Sequence, residues 1–282
     1  MAENFHTLLK KAKPLKVVGA INAYSALLAE KSGLEALYIS GAGVANASYG
    51  IPDLAMTSKD NVLEDLRRIK GVSDLPVLVD CDTGWGSALS ISKTTKDMIL
   101  AGAAGIHIED QVSNKRCGHR PNKEIVSNEE MVDRIKASKD SANESLLLMA
   151  RTDAFVKEGI NGVIDRCNSY IEAGANAIFP EAITNLKDYK KLSESLNVPI
   201  LANITEFGLT PLFTDKELSD SGVEIILHPL SAFRAMSKAA EEIYNEISKE
   251  GTVEKKIEKM QSRDELYSVL TVSYTHLRAH ET

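Results

Sequence analysis

The sequence predicts an α/β chain folded as a (β/α)8 barrel, the TIM-barrel architecture, with a C-terminal helical extension. Three observations carry that prediction. A helix that ends at a glycine and passes into a short apolar run occurs four times: SGLEALYIS (32–40), AGAAGIHIE (101–109), AGANAIFPE (173–181) and SGVEIILHP (221–229). Four further apolar runs alternate with these, and helical stretches lie between them, which is the alternation of a parallel sheet covered by helices. The strand exits carry polar residues: Asp80, Asp82, Glu109, Asp110, Arg151, Asp153, Glu181, Asn203 and His228. A doubly wound open sheet shares the alternation, but barrel active sites are assembled at the carboxyl face from several strands at once, so these residues favour the barrel.

The first strand is LKVVGAIN (15–22), with Pro14 at its entrance, where a missing N–H costs a strand least. Gly33 fits the left-handed position that stops a helix, and the second strand follows it. NVLEDLRRIKG (61–71) reads as a helix and delivers the third strand, LPVLVD (75–80), with Pro76 near its start. SKTTKDMILAG (92–102) is the next helix, and Gly102 stops it before the fourth strand. Asn128 opens NEEMVDRIKAS (128–138) as an expected N-cap, with Glu129 and Glu130 complementing the helix dipole. LLLMARTD (146–153) is the fifth strand, and the helix GVIDRCNSYIEAG (162–174) ends at Gly174 before the sixth. VPILANIT (198–205), entered at Pro199, is the seventh, and Gly222 introduces the eighth. All the runs are short and apolar on both faces, as buried parallel strands should be.

A chain of 282 residues is long enough for one such barrel. Its net charge of −7 argues against a general nucleic-acid binder. No apolar run approaches the roughly 18 residues of a membrane span, and the amino-terminal MAENFHTLLKKAKPLK lacks the apolar stretch of a signal peptide. Cys81, Cys117 and Cys167 cannot build a disulfide framework. These features fit a cytoplasmic protein that engages neither nucleic acid nor membrane. The last segment, VSYTHLRAHET (272–282), resembles a translated sequencing adapter. The expected native part is therefore 1–271, one barrel domain with C-terminal helices, truncated near Leu270. His276 and His280, spaced like half a zinc site, carry no metal expectation on that reading.

The chemistry gathers in three places. In LVDCDTGWG (78–86), Asp80 and Asp82 leave a buried strand at i,i+2 and can address a hard cation directly or through water. A lone strand-end aspartate more often caps a turn, but a pair on the catalytic face favours a metal, with Mg²⁺ preferred because no histidine or thiolate cluster accompanies it. Gly84 and Gly86 let the loop turn back over the site, and pleat alternation should point Cys81 away from it. In IEDQVSNKRCGHRPNK (108–123), Cys117 sits among Lys115, Arg116, His119 and Arg120. Positive neighbours stabilise a thiolate, so this cysteine is expected to exchange a proton near neutral pH. Cys167 reads instead as a buried structural thiol. The third group is dispersed: Arg151, Glu181, Asn203 with Thr205, Arg234 and Arg263. Arginines suit bidentate carboxylate binding, although Arg234 and Arg263 taken singly more often belong to helix salt bridges. SGAG (40–43) could cradle an anion with backbone N–H groups.

Across Pro14 to Leu270 these motifs resemble the isocitrate lyase and phosphoenolpyruvate mutase superfamily, above all its branch that acts on 2-methylisocitrate. The resemblance is carried by YISGAGVA, LVDCDTGWGS, AGAAGIHIEDQ, KRCGHRPNK, MARTDA, FPEAI, PILANITEFG, PLSAFRAM and SRDELY. It implies a Mg²⁺-dependent barrel enzyme splitting 2-methylisocitrate into pyruvate and succinate, a step of propionate breakdown in the methylcitrate cycle. It also implies a homotetramer that exchanges a C-terminal helix between subunits. By this resemblance Asp80 and Asp82 bind the metal and Cys117 is the catalytic acid. Ser40, Gly41, Ala42, Gly118, Arg151, Glu181, Asn203, Ile204, Thr205, Arg234 and Arg263 contact the tricarboxylate substrate. Tyr38 is the first candidate for the base and Glu181 the second, while Phe179, Leu227 and Pro229 resemble an apolar wall for the extra methyl group. Ala42 stands where the family has glycine, and Cys81 and Trp85 where it usually has alanine and phenylalanine. The rivals are oxaloacetate hydrolysis, dimethylmalate or isocitrate cleavage, and a non-catalytic truncated barrel.

Overall fold

The structure, a computed structural model, describes residues 4–11, 14–113, 123–142 and 144–271. Its eight parallel strands are β1 (Leu15–Gly19), β2 (Ala36–Ile39), β3 (Val77–Asp80), β4 (Gly105–Glu109), β5 (Leu147–Thr152), β6 (Ala177–Pro180), β7 (Leu201–Asn203) and β8 (Ile225–His228). The hydrogen-bonded order runs β6-β5-β4-β3-β2-β1-β8-β7. The remaining seam closes through a parallel bridge between Ile178 and Ile200, with Ile178 N–H donating to Pro199 O at 2.9 Å. That seam excludes the open sheet.

The glycine echo is realised as one motif built four times. Gly33, Gly102, Gly174 and Gly222 all have positive φ, from 80° to 114°. After each, the next N–H reaches back five residues: Leu34 to Ala29, Ala103 to Met98, Ala175 to Tyr170 and Val223 to Leu218. This is the Schellman closure, which satisfies the helix's last carbonyls. In all four cases the strand begins three residues after the glycine, so one local signal sets four strand starts.

Strand alternation then divides the core into two. Leu37, Ile39, Val77, Val79, Ile106, Ile108, Leu148, Ala150, Ile178 and Ala202 face the helices. Leu15, Val17, Ala36, Tyr38, Leu78, Leu147, Met149, Ala177, Phe179, Leu201, Ile225 and Leu227 fill the barrel. The helix Phe5–Lys11 joins the inner group through Phe5, Leu8 and Leu9. Its neighbours there include residues that open strands, Leu15, Ala36, Leu147, Ala177, Leu201 and Ile225, so this helix plugs the amino-terminal mouth. No described helix is long and apolar enough to cross a membrane.

The helices fall at Ala23–Lys31, Lys59–Lys70, Ala88–Leu100, Asn128–Lys139, Phe155–Glu172, Leu186–Ser195 and Asp215–Asp220, then Ser231–Glu250 and Arg263–Val269 as the C-terminal extension. One cap differs from expectation. Ser127, not Asn128, caps its helix by accepting from Glu130 N–H, and Asn128 instead donates its side-chain amide to Ser169 Oγ at 2.9 Å. Both types cap well, and the serine one residue earlier already satisfies the free donor.

Candidate active site

At the carboxyl mouth the inward positions change from apolar to ionisable. The register sets Asp80 beside His107, and Glu109 beside Arg151, which in turn lies beside Phe179. Asp80, Glu109, Arg151, Glu181 and Asn203 all lie within this buried floor. Arg151 is its hub. Its Nε and Nη2 donate to Asp153 at 2.9 and 3.3 Å, Nη1 lies 3.3 Å from Glu109, and Nη2 lies 3.4 Å from Glu181. The guanidinium also stacks over Phe179, 5.1 Å from the ring centroid. Burial opposes the charge on Arg151, but Asp153, Glu109, Glu181 and Asp80 outweigh it and hold the group protonated well above the ordinary arginine range. Asn203 turns its amide toward Glu181 at 3.3 Å, and Thr205 is buried close by in sequence.

The metal candidates occupy a tightly folded corner. Asp80 accepts Gly41 N–H at 3.0 Å and Asp82 N–H at 3.0 Å. Asp82 and Trp85 adopt left-handed φ of 47° and 55°, a conformation that costs a non-glycine residue on the order of 1 kcal/mol or more. Gly84 and Gly86 are left-handed as well, so the loop does turn back on itself. The Trp85 indole N–H holds it by donating to Thr57 O at 3.2 Å, which ties the loops after β3 and β2 together.

A Cβ placed on Gly41 would lie 3.1 Å from both Asp80 Oδ2 and Asp82 Oδ1. The two carboxylates therefore converge on one small space beneath a residue without a side chain. Cys81 turns into the outer core, as alternation requires, where burial and the flanking Asp80 and Asp82 push its thiol well above the usual range. The donors left are hard oxygens, which fit Mg²⁺, an ion held by one or two carboxylates with water and substrate completing its shell. Among the described residues no group of three or more His, Cys, Asp or Glu side chains could hold an ion alone.

Tyr38 lies on the same floor. Its hydroxyl is 2.8 Å from His107 Nε2, and the two rings stack with centroids 5.8 Å apart. Burial first, and then the Asp80 carboxylate, push the Tyr38 phenol well above its ordinary value. His107 packs edge-on against Phe179 at 5.3 Å and lies 3.6 Å from Asp80. Sequence reasoning passed over His107; its signal was the inward parity it shares with Glu109 two residues on.

Several expected residues take other places. Gly41 gives its N–H to Asp80, so the SGAG turn holds a carboxylate of the protein itself; Ser40 is buried and Ala42 half-buried beside it. The Ile204 side chain packs in the outer core and its N–H donates to Leu227 O. Asp110 faces outward, accepting from Thr152, Tyr170 and Asp153 N–H. His228 lines an outer apolar cleft with Val18, Leu28, Ala29 and Met236. Arg234 sits at the rim, 3.7 Å from Glu206 and stacked over the exposed Phe207. Arg263 is exposed at the start of a helix that packs outside the barrel against Ala23–Lys31, and the structure does not bring it into the cluster. Cys117 and Gly118 lie outside the described residues.

Known proteins share this arrangement of strands and sequence. The profile of the phosphoenolpyruvate phosphomutase family matches residues 5–248. The chain is 56% identical to 2-methylisocitrate lyase of Escherichia coli (strain K12), over 93% of this chain and 90% of that protein. A crystal structure of 2,3-dimethylmalate lyase superposes with a TM-score of 0.87 at 29% identity, covering 94% of this chain and 89% of that one. Phosphonopyruvate hydrolase, solved with oxalate and Mg²⁺, superposes with a TM-score of 0.82 at 26% identity, covering 97% and 95%. The chain belongs to the phosphoenolpyruvate phosphomutase family, within the isocitrate lyase and phosphoenolpyruvate mutase superfamily.

Proposed function

We propose that this chain is a Mg²⁺-dependent lyase that cleaves 2-methylisocitrate to pyruvate and succinate, and that it serves propionate breakdown in the cytoplasm. The single observation that carries the reading is the buried Asp80/Asp82 corner beside the Arg151 hub, in a chain 56% identical to a lyase of that name. The identity to 2,3-dimethylmalate lyase is only 29%, which favours the first substrate over the second. The charge balance supports the same view. In the described floor, the carboxylates Asp80, Asp82, Glu109, Asp153 and Glu181 outnumber the cations Arg151 and Lys123. A tricarboxylate meets net repulsion there unless further positive charge arrives. A divalent ion provides it, with the cationic sequence around Cys117 and Arg234 at the rim.

Mg²⁺, when bound, supplies a Lewis acid for a substrate hydroxyl and its neighbouring carboxylate. The chain's own groups handle the protons. With His107 protonated at Nδ1, its Nε2 accepts from Tyr38, and Tyr38 in turn takes the proton of the substrate's tertiary hydroxyl. This relay avoids a resting phenolate, which the site disfavours. As the carbon–carbon bond breaks, the Arg151 guanidinium, the Asn203 amide and the Thr205 hydroxyl stabilise the succinate aci-anion. Cys117 then gives its proton to that carbon. Gly118, Ser40, the Gly41–Ala42 backbone and the Ile204 carbonyl complete the substrate contacts in this reading, with Arg234 and Arg263 reaching the site when the subunits assemble. Phe179, Leu227 and Pro229 wall the methyl group. Such a wall is worth about 1–3 kcal/mol, so isocitrate is expected to be a poor substrate rather than an excluded one.

The assembly proposed is a homotetramer. The helix Ser231–Glu250 has no buried residue in the single chain and exposes Met236, Tyr244 and Ile247, a face suited to a neighbouring subunit. Incubation of the protein with 2-methylisocitrate and Mg²⁺ should release pyruvate and succinate in equal amounts, and EDTA should stop it. Absence of both products from the assembled, Mg²⁺-loaded protein overturns the reading. Cys117→Ser is expected to bind substrate but lose turnover by about 10²–10⁴-fold; full activity in that variant removes cysteine from the donor role.

A further inference from the structure

Lys123 ends the motif KRCGHRPNK, and neither the metal corner nor the acid–base groups account for it. A lysine in a polar loop ordinarily keeps its ammonium in water. This side chain is only 6% exposed, and its Nζ lies 2.5 Å from Asp153 Oδ1. The Asp153 side chain is wholly buried. The same carboxylate accepts both Nε and Nη2 of Arg151, and the Asp153 N–H is anchored to Asp110 at 2.8 Å. One buried carboxylate thus joins two cations and is fixed from behind.

That sharing changes what Arg151 can offer. Glu109 and Glu181 already flank the guanidinium. With Asp153 as a third, unshared counter-ion, the fork would be surplus in negative charge and drawn back toward Asp153. Lys123 offsets the charge of Asp153 at Oδ1, the oxygen that also accepts Arg151 Nη2. Arg151 then faces one fewer uncompensated carboxylate, which lessens the repulsion an incoming carboxylate meets, and its fork is held at a fixed angle by its two hydrogen bonds to Asp153. The lowered pKa of Asp153 agrees, since burial raises it and Arg151 and Lys123 together overcome that.

We propose that Lys123 is a positioning residue: acting through Asp153, it sets the angle and the available charge of the Arg151 fork that receives a substrate carboxylate. The inference rests on the lyase reading for the identity of the substrate, and its test does not depend on turnover alone.

Full-length wild type, Lys123→Met, Lys123→Arg and the double variant Lys123→Met/Asp153→Asn are compared for kcat and KM with 2-methylisocitrate. Calorimetry measures the binding of succinate, a dianion, and of pyruvate, a monoanion. Lys123→Met should raise KM about tenfold or more, with a smaller fall in kcat, and should weaken succinate more than pyruvate. Lys123→Arg should recover most of the affinity. The double variant removes both charges, so it should bind succinate more tightly than Lys123→Met and remain foldable if that single variant does not. An unchanged KM and succinate affinity in Lys123→Met overturns the proposal. So does a double variant that binds succinate no better than Lys123→Met or, where that variant does not fold, one that binds it far more weakly than wild type. If wild type binds succinate but cleaves no 2-methylisocitrate, the lyase reading fails while the succinate series still decides the role of Lys123.

Discussion

Gly41→Ala is expected to abolish Mg²⁺-dependent cleavage while leaving the barrel folded. The added methyl carbon would sit 3.1 Å from Asp80 Oδ2 and 3.1 Å from Asp82 Oδ1, inside the space on which the two carboxylates converge. Gly41 is not among the residues with positive φ and so has no left-handed backbone requirement, and the substitution introduces no strain beyond that intrusion. Removing a Lewis acid forfeits several kcal/mol of transition-state stabilisation, on the order of 10³-fold in kcat. Trp85, the only tryptophan in the chain, stands three residues after Asp82 and reports the corner independently of turnover. Titration with Mg²⁺ should change wild-type fluorescence and leave Gly41→Ala unchanged. Wild-type activity, or an unaltered Mg²⁺ response, in Gly41→Ala would place the metal elsewhere.

Gly19→Ala is expected to damage the fold itself. A Cβ there would lie 1.7 Å from Pro229 O and 2.5 Å from Pro229 C, contacts that side-chain rotation cannot relieve because the obstacle is backbone. Gly19 ends β1 where the chain leaving β8 crosses it, so β1 and β8 would have to separate at the barrel mouth. Overpacking against a flexible neighbour costs about 1–3 kcal/mol, and a rigid one takes the cost to the top of that range or beyond. At roughly 2–4 °C per kcal/mol for a chain of this size, Tm should fall by about 10 °C. Gly33→Ala is the control. Its φ is +80°, yet nothing lies within 4 Å of the added carbon, so only the left-handed penalty of about 1–2 kcal/mol applies. Equal melting temperatures for the two variants would show that the close approach at Pro229 does not constrain the barrel.

How far the sequence could be read depended on how local each signal was. Gly33, Gly102, Gly174 and Gly222 announced four strands because a Schellman stop is encoded within six residues. The Phe5–Lys11 plug was missed because its apolar residues make sense only once there is a barrel mouth to fill. Asp80 and Asp82 were legible as a pair from their i,i+2 spacing, and Cys81 between them took the outward side that alternation demanded. Asp110 and Asp153 looked equivalent at strand ends, yet one braces the outer helices and the other braces Arg151. Asp110 lies one residue past the inward Glu109 and Asp153 two past the inward Arg151, and neither spacing says which buried partner each will meet.

By itself the sequence determined the strand–helix alternation, the face on which the ionisable residues emerge and the family to which the motifs point. The first two follow from periodicity and local backbone preference, the third from the resemblance of the motifs. Only the tertiary structure decided that Tyr38 meets His107 across 69 positions, that Gly41 roofs both aspartates, and that Lys123 reaches Asp153 beneath Arg151. Those contacts arise from closure of the barrel, which brings the ends of separate strands within a few ångströms of one another, and no spacing along the chain encodes which ends become neighbours.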